Sequence, residues 1–463
     1  MRNGDQISNS KLALLYDKAV HCYQQERFGE ALALFETILA ECTIFPAVHV
    51  SRGSVLLALD RPAEALECFD EALRLDQNST SAAYSKGVAL QRLGQMNDAL
   101  ENYTRAILLD PNQPAAHSNR ALVLRELGLT HESLDSYDSA IALAPHCADI
   151  QYGKALSLLL LGQFEEGWAK YEWRKKMSRW QLWGPHLKSP LWTGIQPLEG
   201  KTILIQAEQG LGDTIQFCRY VPLVEKLGAK VVLLAQGNLV RLLRGLGPQI
   251  RVVAPDNDTP AHDYQVPLLS LPLIFKTDSR DIPCAVPYLR AEPDRMNYWR
   301  QRLDDRLVNI GVCWQGDKRS ASDTGRSFPI RYLERIAQMS GIRLISLQKN
   351  EGLEQLRNLP PGMHVEILED GFDEGYDAFI DTAAIMECVH LIIASDTAIA
   401  HLAGALGRPT WLALRHIPNW RWLLNQMRSP WYPTMHLFRQ NSPGDWQTVF
   451  AAMENELKKL YCV

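Results

Sequence analysis

The sequence predicts an α-helical solenoid followed by two Rossmann-like α/β domains that face each other across a cleft. Three observations lead to this fold class: a 34-residue repeat in the first third, alternating strand and helix patterns after it, and a restart of that alternation near residue 307. The predicted boundaries are 12–176 for the solenoid, 177–200 for a connector, 201–300 and 307–440 for the α/β domains, and 441–463 for a C-terminal helix.

Small and aromatic residues recur every 34 positions in the predicted solenoid. The small series is Ala31, Ala65, Ala99, Ser133 and Gly167, and the aromatic series is Phe35, Phe69, Tyr103, Tyr137 and Tyr171. Small residues suit a close crossing of two helices, and such helix pairs must stack because one pair cannot bury its apolar face. The pattern resembles the tetratricopeptide repeat, with units near 12–45, 46–79, 80–113, 114–147 and 148–176. A repeat array of this kind suggests a groove for a protein or peptide, or alternatively a stabilising or dimerising arm.

Composition is typical of a soluble globular protein of two or three domains. The chain has 463 residues, of which 46% are apolar and 22% charged. A formal net charge of −5 argues against a broad nucleic-acid surface. The nine cysteines form no CxxC pair and no zinc-like spacing, which indicates reduced thiols and a cytoplasmic protein without a metal. We expect no transmembrane segment, because no apolar run approaches about 18 residues.

Tryptophans and basic residues crowd the join between the repeats and the α/β part. The tryptophans are Trp168, Trp173, Trp180, Trp183 and Trp192, and Arg174 and Arg179 lie among them. Such a run suits stacking on a sugar or base, but it also suits the capping of a last repeat and the docking of two domains. The second interpretation is favoured.

The α/β part is defined by short apolar runs separated by helical patterns. The predicted strands fall at 201–207, 229–236, 250–255, 307–316, 342–348, 364–368, 390–394 and 409–414. This alternation predicts parallel sheets covered by helices. Ligands of such sheets bind beyond the carboxyl ends of the strands, so the loops after the strands are the informative ones.

The loop after the first strand reads AEQGLGD and contains Gly210, Gly212 and Asp213. It is not the GxGxxG fingerprint, and no GxxxxGK[ST] motif occurs, which disfavours hydride transfer and P-loop hydrolysis. Two glycines allow a tight turn and a close ligand approach. Asp213 has two interpretations that remain open from this loop: a helix cap, or a carboxylate that takes a proton from a hydroxyl nucleophile.

In the second α/β domain, polar side chains follow several strands. Gln315, Gln348 and Lys349 are candidate contacts for a nucleotide or acceptor, as are the two glycines of the first loop. Arg326 lies in a basic loop, with Lys318 and Arg319, that would face an anion bound to this domain. For each of these residues, a solvated loop position is the alternative.

The stretch SDTAIAHLAGALGRP (395–409) combines a helix start with three polar groups. Asp396 and Thr397 are cap residues, and His401 lies four residues after Thr397 on the same helix face. A helix amino terminus offers unpaired N–H groups and partial positive charge, which suits a phosphate. We therefore expect phosphate binding here.

Two blocks resemble one glycosyltransferase family. SDTAIAHLAGALGRP is similar to the DTGxxHLxxALGxP signature of the ADP-heptose:lipopolysaccharide heptosyltransferases, and GLGDTIQFCRYVPLVEKLGAKV (210–231) is similar to their GDxxxxxP segment. That family has the GT-B fold. The fusion of tetratricopeptide repeats to such a unit also resembles bacterial relatives of the protein O-GlcNAc transferases.

The resemblance implies an inverting, metal-independent transfer from a nucleotide-diphosphate sugar, with no further cofactor. Asp213 matches the proposed general base, and Asp396, Thr397, Ala398 and His401 match the donor diphosphate site, with Arg326 on the leaving phosphate. Ala398 replaces the usual glycine and Arg326 the usual lysine. We expect a protein or peptide acceptor presented by the repeats. The alternatives are a non-catalytic nucleotide-sugar-binding adaptor and an enzyme that acts on a lipid-linked glycan.

Overall fold

The computed structural model describes residues 2–178, 180, 189–255, 259–283, 286–303, 306–319, 323–368, 371–374 and 378–461. Arg179 and Trp183 of the predicted connector lie outside these residues. The chain divides into two compact units, Met1–Ser157 and Leu158–Val463. The predicted boundary at 176 therefore falls inside the second unit.

The repeats are built from antiparallel helix pairs. These helices are α1 (Arg2–Gln24), α2 (Phe28–Glu41), α3 (Pro46–Ala58), α4 (Pro62–Leu75), α5 (Thr80–Arg92), α6 (Met96–Leu109), α7 (Pro114–Glu126), α8 (Thr130–Leu143), α9 (Ala148–Leu160) and α10 (Phe164–Tyr171). Helices α3, α5, α7 and α9 begin where the predicted repeat units begin. The turn inside each pair has one left-handed residue, and these recur every 34 positions: Glu26, Asp60, Gly94, Gly128 and Gly162. The repeat prediction is confirmed.

Small and aromatic residues of the repeat meet as the spacing predicts. A Cβ atom added to Gly53 would lie 2.5 Å from the Phe69 ring, and one added to Gly87 would lie 2.8 Å from the Tyr103 ring. Both rings are fully buried. Each aromatic side chain thus occupies the space that the missing side chain leaves.

A row of basic residues also follows the 34-residue step, and it links successive repeats in the first unit. Arg52 pairs with Glu36 at 3.5 Å, Lys86 with Asp70 at 2.6 Å, and Lys154 with Asp138 at 2.6 Å. Each acidic partner lies 16 residues before its base, on the preceding helix. At the remaining junction Thr104 stands in the acidic position, and Arg120 donates instead to the Ser136 hydroxyl at 3.1 Å.

The first α/β half, residues 201–300, contains a parallel sheet with strand order β3-β2-β1-β4. Its strands are β1 (Thr202–Gln206), β2 (Lys230–Leu234), β3 (Ile250–Val253) and β4 (Tyr264–Pro267). Its helices are α11 (Leu211–Phe217), α12 (Val221–Glu225), α13 (Val240–Leu243), α14 (Leu271–Ile274) and α15 (Pro293–Arg300). Three of these strands lie where the sequence predicts them, whereas β4 has no counterpart in the prediction.

The second α/β half, residues 307–440, contains a parallel sheet with strand order β6-β5-β7-β8-β9. Its strands are β5 (Val308–Cys313), β6 (Ile342–Ser346), β7 (Leu391–Ser395), β8 (Thr410–Leu414) and β9 (Met435–Arg439). Helices α16 (Glu334–Ala337), α17 (Ile380–Cys388), α18 (Ala398–Ala405) and the C-terminal α19 (Trp446–Tyr461) accompany them. The predicted strand at 364–368 is wrong, because this segment contributes only an isolated bridge from Glu366 to Ile345. Strand β9 was not predicted.

Helix α10 packs against both α/β halves through its aromatic side chains. Trp168 is 1% exposed. Its ring centroid lies 6.2 Å from that of Phe217 in the first half and 5.3 Å from that of Trp420 in the second. This tryptophan is therefore a packing residue, in agreement with the favoured interpretation, and is not available to stack on a ligand.

No helix in the described part of the chain is both long enough and apolar enough to cross a membrane.

Candidate functional site

The carboxyl ends of the two sheets come together at the starts of α11 and α18. Gly212 in the first turn of α11 has no room for a side chain. A Cβ atom there would lie 2.9 Å from His401 Cδ2 and 3.5 Å from Ala398 Cα. Glycine at 212 thus lets the backbone of the first half touch the helix start of the second.

Asp213 is the third residue of α11, and Gly210 is the N-cap residue of this helix. Its Oδ2 accepts the Gly210 amide at 2.9 Å, so it does cap the helix. Its Oδ1 accepts a hydrogen bond from Nη2 of Arg421, in the second α/β half. Both carboxylate oxygens are therefore engaged, and the carboxylate is still partly exposed.

Arg421 is a site residue that the sequence reasoning missed. It lies in the loop after β8, and its side chain is 8% exposed. Besides Asp213, its Nε donates to Gln216 Oε1 at 2.6 Å and its Nη1 to Asn419 Oδ1 at 3.0 Å. The signal in the sequence is a single arginine between Trp420 and Trp422, which by itself does not indicate a partner 208 residues away.

The start of α18 brings together several residues of the predicted phosphate site. Thr397 is the N-cap residue, and its own side chain makes no capping hydrogen bond. Thr397 and Ala398 are half-buried, whereas Asp396 is buried. Asp396 Oδ2 lies 3.7 Å from Arg326 Nη1. Four of the predicted phosphate-site residues thus lie together.

His401, the fifth, is buried between aromatic side chains. Its Nδ1 lies 3.0 Å from the Tyr432 hydroxyl, and its ring stacks on Trp422 with centroids 5.2 Å apart. Burial, and after it the charges of Arg421, Arg326 and Arg219, hold the pKa of His401 well below its ordinary value. The imidazole is therefore neutral near pH 7.

The charge around His401 favours an anion. Three arginines, Arg219, Arg326 and Arg421, act on this imidazole, and two carboxylates, Asp213 and Asp396, accompany them. The amino end of α18 adds partial positive charge. The local balance is positive in a chain whose formal net charge is −5.

The predicted nucleotide contacts have unequal surroundings. Gln348 Oε1 accepts the Trp314 and Gln315 amides, both at 3.0 Å, and its Nε2 donates to the Gln315 and Glu351 carbonyls, both at 2.8 Å. It therefore joins two loops of its own domain. Gln315 has a buried Nε2 without a partner in the described residues. Lys349 donates to the Phe372 carbonyl.

A second feature that the sequence did not reveal is a buried ionic network behind the first loop. Arg174 Nε and Nη2 bind both oxygens of Glu208 at 3.0 and 2.7 Å, and its Nη1 binds Glu172 at 2.6 Å. The Leu269 amide also donates to Glu208, at 3.0 Å. Since Glu208 precedes the two glycines of the loop, this network fixes the segment that carries Asp213.

In the described residues, no group of three or more His, Cys, Asp or Glu side chains has the arrangement of a metal site.

Lys318 and Arg319 of the basic loop are paired with Glu354 and Asp317, at 3.0 and 2.9 Å.

Comparison with known families matches the repeats. Residues 92–128 match the family described as TPR repeat, and residues 46–79 and 118–172 match families described as Tetratricopeptide repeat. The chain contains tetratricopeptide repeats. These matches lie within the first 172 residues.

One curated relative covers more of the chain. Protein FlbA of Caulobacter vibrioides is 27% identical over 322 residues, which is 63% of this chain and 52% of that protein. The chain thus spans about half the length of the curated relative it matches.

Solved structures to which the chain is similar include tetratricopeptide-repeat proteins. TTC0263, a thermophilic TPR protein of Thermus thermophilus, is 22% identical and covers 37% of this chain and 93% of its own, with a TM-score of 0.33. YrrB, described as a TPR protein with an unusual peptide-binding site, is 20% identical and covers 39% of this chain and 93% of its own, with a TM-score of 0.32.

Proposed function

We propose that the chain is a GT-B glycosyltransferase that transfers a sugar from a nucleotide-diphosphate sugar to a hydroxyl of a protein or peptide. The observation that carries the proposal is that the starts of α11 and α18 meet at His401. The start of α11 carries the Asp213 carboxylate, and the start of α18 has positively charged groups around it. The proposed transfer requires both: a base for the acceptor and a binding site for the departing diphosphate.

The donor diphosphate lies over the start of α18 in this proposal. Thr397 and Ala398 retain partial exposure, and the Thr397 side chain makes no capping hydrogen bond, which supports binding of phosphate oxygens by the N–H groups of the first turn. Arg326 and neutral His401 add a cation and a hydrogen bond. Together these groups offset the charge of the leaving nucleoside diphosphate, which a metal does in other enzymes.

The transfer is a single displacement. The acceptor oxygen attacks the anomeric carbon, the bond from that carbon to the diphosphate oxygen breaks, and the nucleoside diphosphate leaves with the electron pair. The proton of the acceptor hydroxyl passes to Asp213. Attack opposite to the leaving group inverts the anomeric configuration.

The repeats supply the acceptor in this proposal. Tetratricopeptide arrays present extended surfaces made of many short helices, which suits a chain-like partner more than a small molecule.

A second candidate is a nucleotide-sugar-binding adaptor without turnover. The observation that favours it is the engagement of both Asp213 oxygens by Arg421 and Gly210, because these contacts stand between the carboxylate and an acceptor hydroxyl.

The first experiment uses the full chain and a panel of ADP, GDP, UDP and their sugars. A ligand that binds only the folded state raises the free energy of unfolding by about 2.7 kcal/mol at 100 times its Kd, so the thermal midpoint identifies the nucleotide. Failure of every compound to raise the midpoint would refute both candidates.

The second experiment separates them with the nucleotide sugar found in the first. Transfer to lysate proteins is followed by mass spectrometry for the wild type, for Asp213→Asn, and for the control Asp294→Asn, an exposed carboxylate in the first turn of α15. We expect Asp213→Asn to lose transfer and keep nucleotide binding, and the control to keep both. Binding without transfer by the wild type would favour the adaptor.

A further inference from the structure

Arg421 is held by three acceptors, and two of them belong to the first α/β half. The guanidinium joins Asp213 and Gln216 of α11 to Asn419 of its own loop. The Cζ atom of Arg421 also lies 4.2 Å from the centroid of the Trp420 ring. With 8% of its side chain exposed, the group needs an anionic partner at all times, because an unpaired buried charge is costly.

Asp213 meets two incompatible demands at this site. In the proposed transfer it accepts a proton from the acceptor hydroxyl, yet in the structure its oxygens hold Arg421 and the Gly210 amide. While the pair is formed, the Arg421 guanidinium lies against the carboxylate oxygen that an acceptor hydroxyl would have to reach. The pair must loosen before Asp213 acts as a base.

The donor diphosphate, proposed to lie over the start of α18, is the second anion that Arg421 can bind. Trp422 follows Arg421 directly and stacks on His401, and Gly212 precedes Asp213 and touches the same imidazole. The ion pair therefore borders the place where the donor diphosphate is proposed to lie. Arginine binds phosphate oxygens through two parallel N–H groups as readily as it binds a carboxylate.

We propose that Arg421 is a donor-diphosphate-binding residue and that the Asp213 carboxylate occupies its guanidinium when no donor is bound. The donor diphosphate then takes Arg421 over, and Asp213 is released to face the acceptor hydroxyl. Donor binding thus precedes activation of the acceptor. While the donor site is empty, Asp213 stays paired with Arg421 and does not act as a base. This inference rests on the proposed function and specifies how its two helix starts are coupled.

The test measures binding of the nucleoside diphosphate that the ligand panel identifies, by titration calorimetry on the full chain. Asp213→Asn removes the competing carboxylate, so we expect about 5- to 20-fold tighter binding. Arg421→Gln should weaken binding by at least about tenfold. In the double variant Asp213→Asn/Arg421→Gln, the change at Asp213 should bring no gain in affinity over Arg421→Gln alone, because the guanidinium for which the two anions compete is gone.

The double variant distinguishes competition from a general charge effect. An equal gain from Asp213→Asn with and without Arg421 would overturn the inference, because a lost negative charge alone would then explain it. Unchanged binding in Asp213→Asn alone would also overturn it, while leaving the proposed function intact if wild-type transfer is seen. If Arg421→Gln does not fold, Arg421→Lys serves in the same cycle, with a smaller gain expected because lysine lacks the paired N–H groups. Absence of nucleotide binding in every folded variant would refute the proposed function, and the inference with it.

Discussion

Replacement of Arg174 by methionine tests whether the buried ionic network holds the first loop. Arg174 and Glu208 have side chains that are 3% and 1% exposed, and two hydrogen bonds of 2.7 and 3.0 Å join them. Methionine keeps much of the side-chain volume but removes the charge. Glu208 then remains buried with the Leu269 amide as its remaining partner among the contacts described.

The expected loss follows from this burial. Removal of one partner of a buried ion pair lowers the free energy of unfolding by about 3–5 kcal/mol, because the other charge stays without compensation. Glu208→Gln in the same chain removes that charge and keeps an oxygen for the Leu269 amide. We therefore expect the double variant Arg174→Met/Glu208→Gln to recover about 2 kcal/mol of the loss.

Tryptophan fluorescence in urea measures the effect in the second unit alone, because all 12 tryptophans follow residue 157. The control is Arg280→Met, which breaks an ion pair with Asp278 at an arginine that is 89% exposed. It should leave the free energy of unfolding essentially unchanged, because a fully exposed ion pair contributes little to stability. A loss below about 1 kcal/mol for Arg174→Met, or a double variant no better than the sum of the single ones, would refute the reasoning.

Three other predictions concern single positions. Gly212→Ala should lower the stability of the second unit by about 1–3 kcal/mol, because its Cβ would lie 2.9 Å from His401 Cδ2, and an unchanged urea midpoint would contradict this. The pKa of His401 lies well below its unfolded value, so the unfolded chain binds the extra proton and stability falls as pH drops below about 6.5. His401→Gln removes this pH dependence. In urea titrations the free energy of unfolding of the wild type should therefore fall by about 1.4 kcal/mol relative to that of the variant between pH 7.5 and 5.5, and a difference between the two proteins that does not change with pH would disprove this. Thr104→Asp should supply the missing partner of Arg120 and stabilise the first unit by about 0.2–1 kcal/mol in far-UV circular dichroism at low salt, with no gain expected at 1 M salt.

The repeats could be predicted closely because their structure depends on local spacing. Positions 16 residues apart within one repeat, such as Gly53 and Phe69, meet in the structure, and the 34-residue step carries each contact to the next repeat. The strands were predictable where they contain a run of at least three apolar residues, as in β1 and β7. Strand β4 reads YQVP and β9 reads MHLFR, and such short mixed segments are strands because a neighbouring strand pairs with them, not because of their own pattern.

Contacts between distant segments could not be predicted. The pairing of Asp213 with Arg421 spans 208 residues, and that of Arg174 with Glu208 joins the turn after α10 to the loop after β1. An isolated arginine in a sequence gives no sign of its partner, because its long side chain serves equally well at a surface and in a buried pair.

The candidate site shows where the reasoning from strand ends is strong and where it is weak. Parallel strands bring the residues that follow them to one edge of the sheet, and Gln315, Gln348 and Thr397 each follow a strand of the second sheet. Cys313 does lie 3.4 Å from Gln348 Oε1 and 3.9 Å from Thr397 Oγ1. The same rule does not say which side chains remain for a ligand. Gln348 is occupied by four backbone groups, because an irregular loop after a strand has amides and carbonyls that no ladder satisfies. Thr397 is the N-cap of a helix, its hydroxyl makes no capping hydrogen bond, and the first N–H groups of a helix have no partner within the helix itself. A polar residue at a strand end is therefore a stronger ligand candidate when a helix follows directly than when a loop follows.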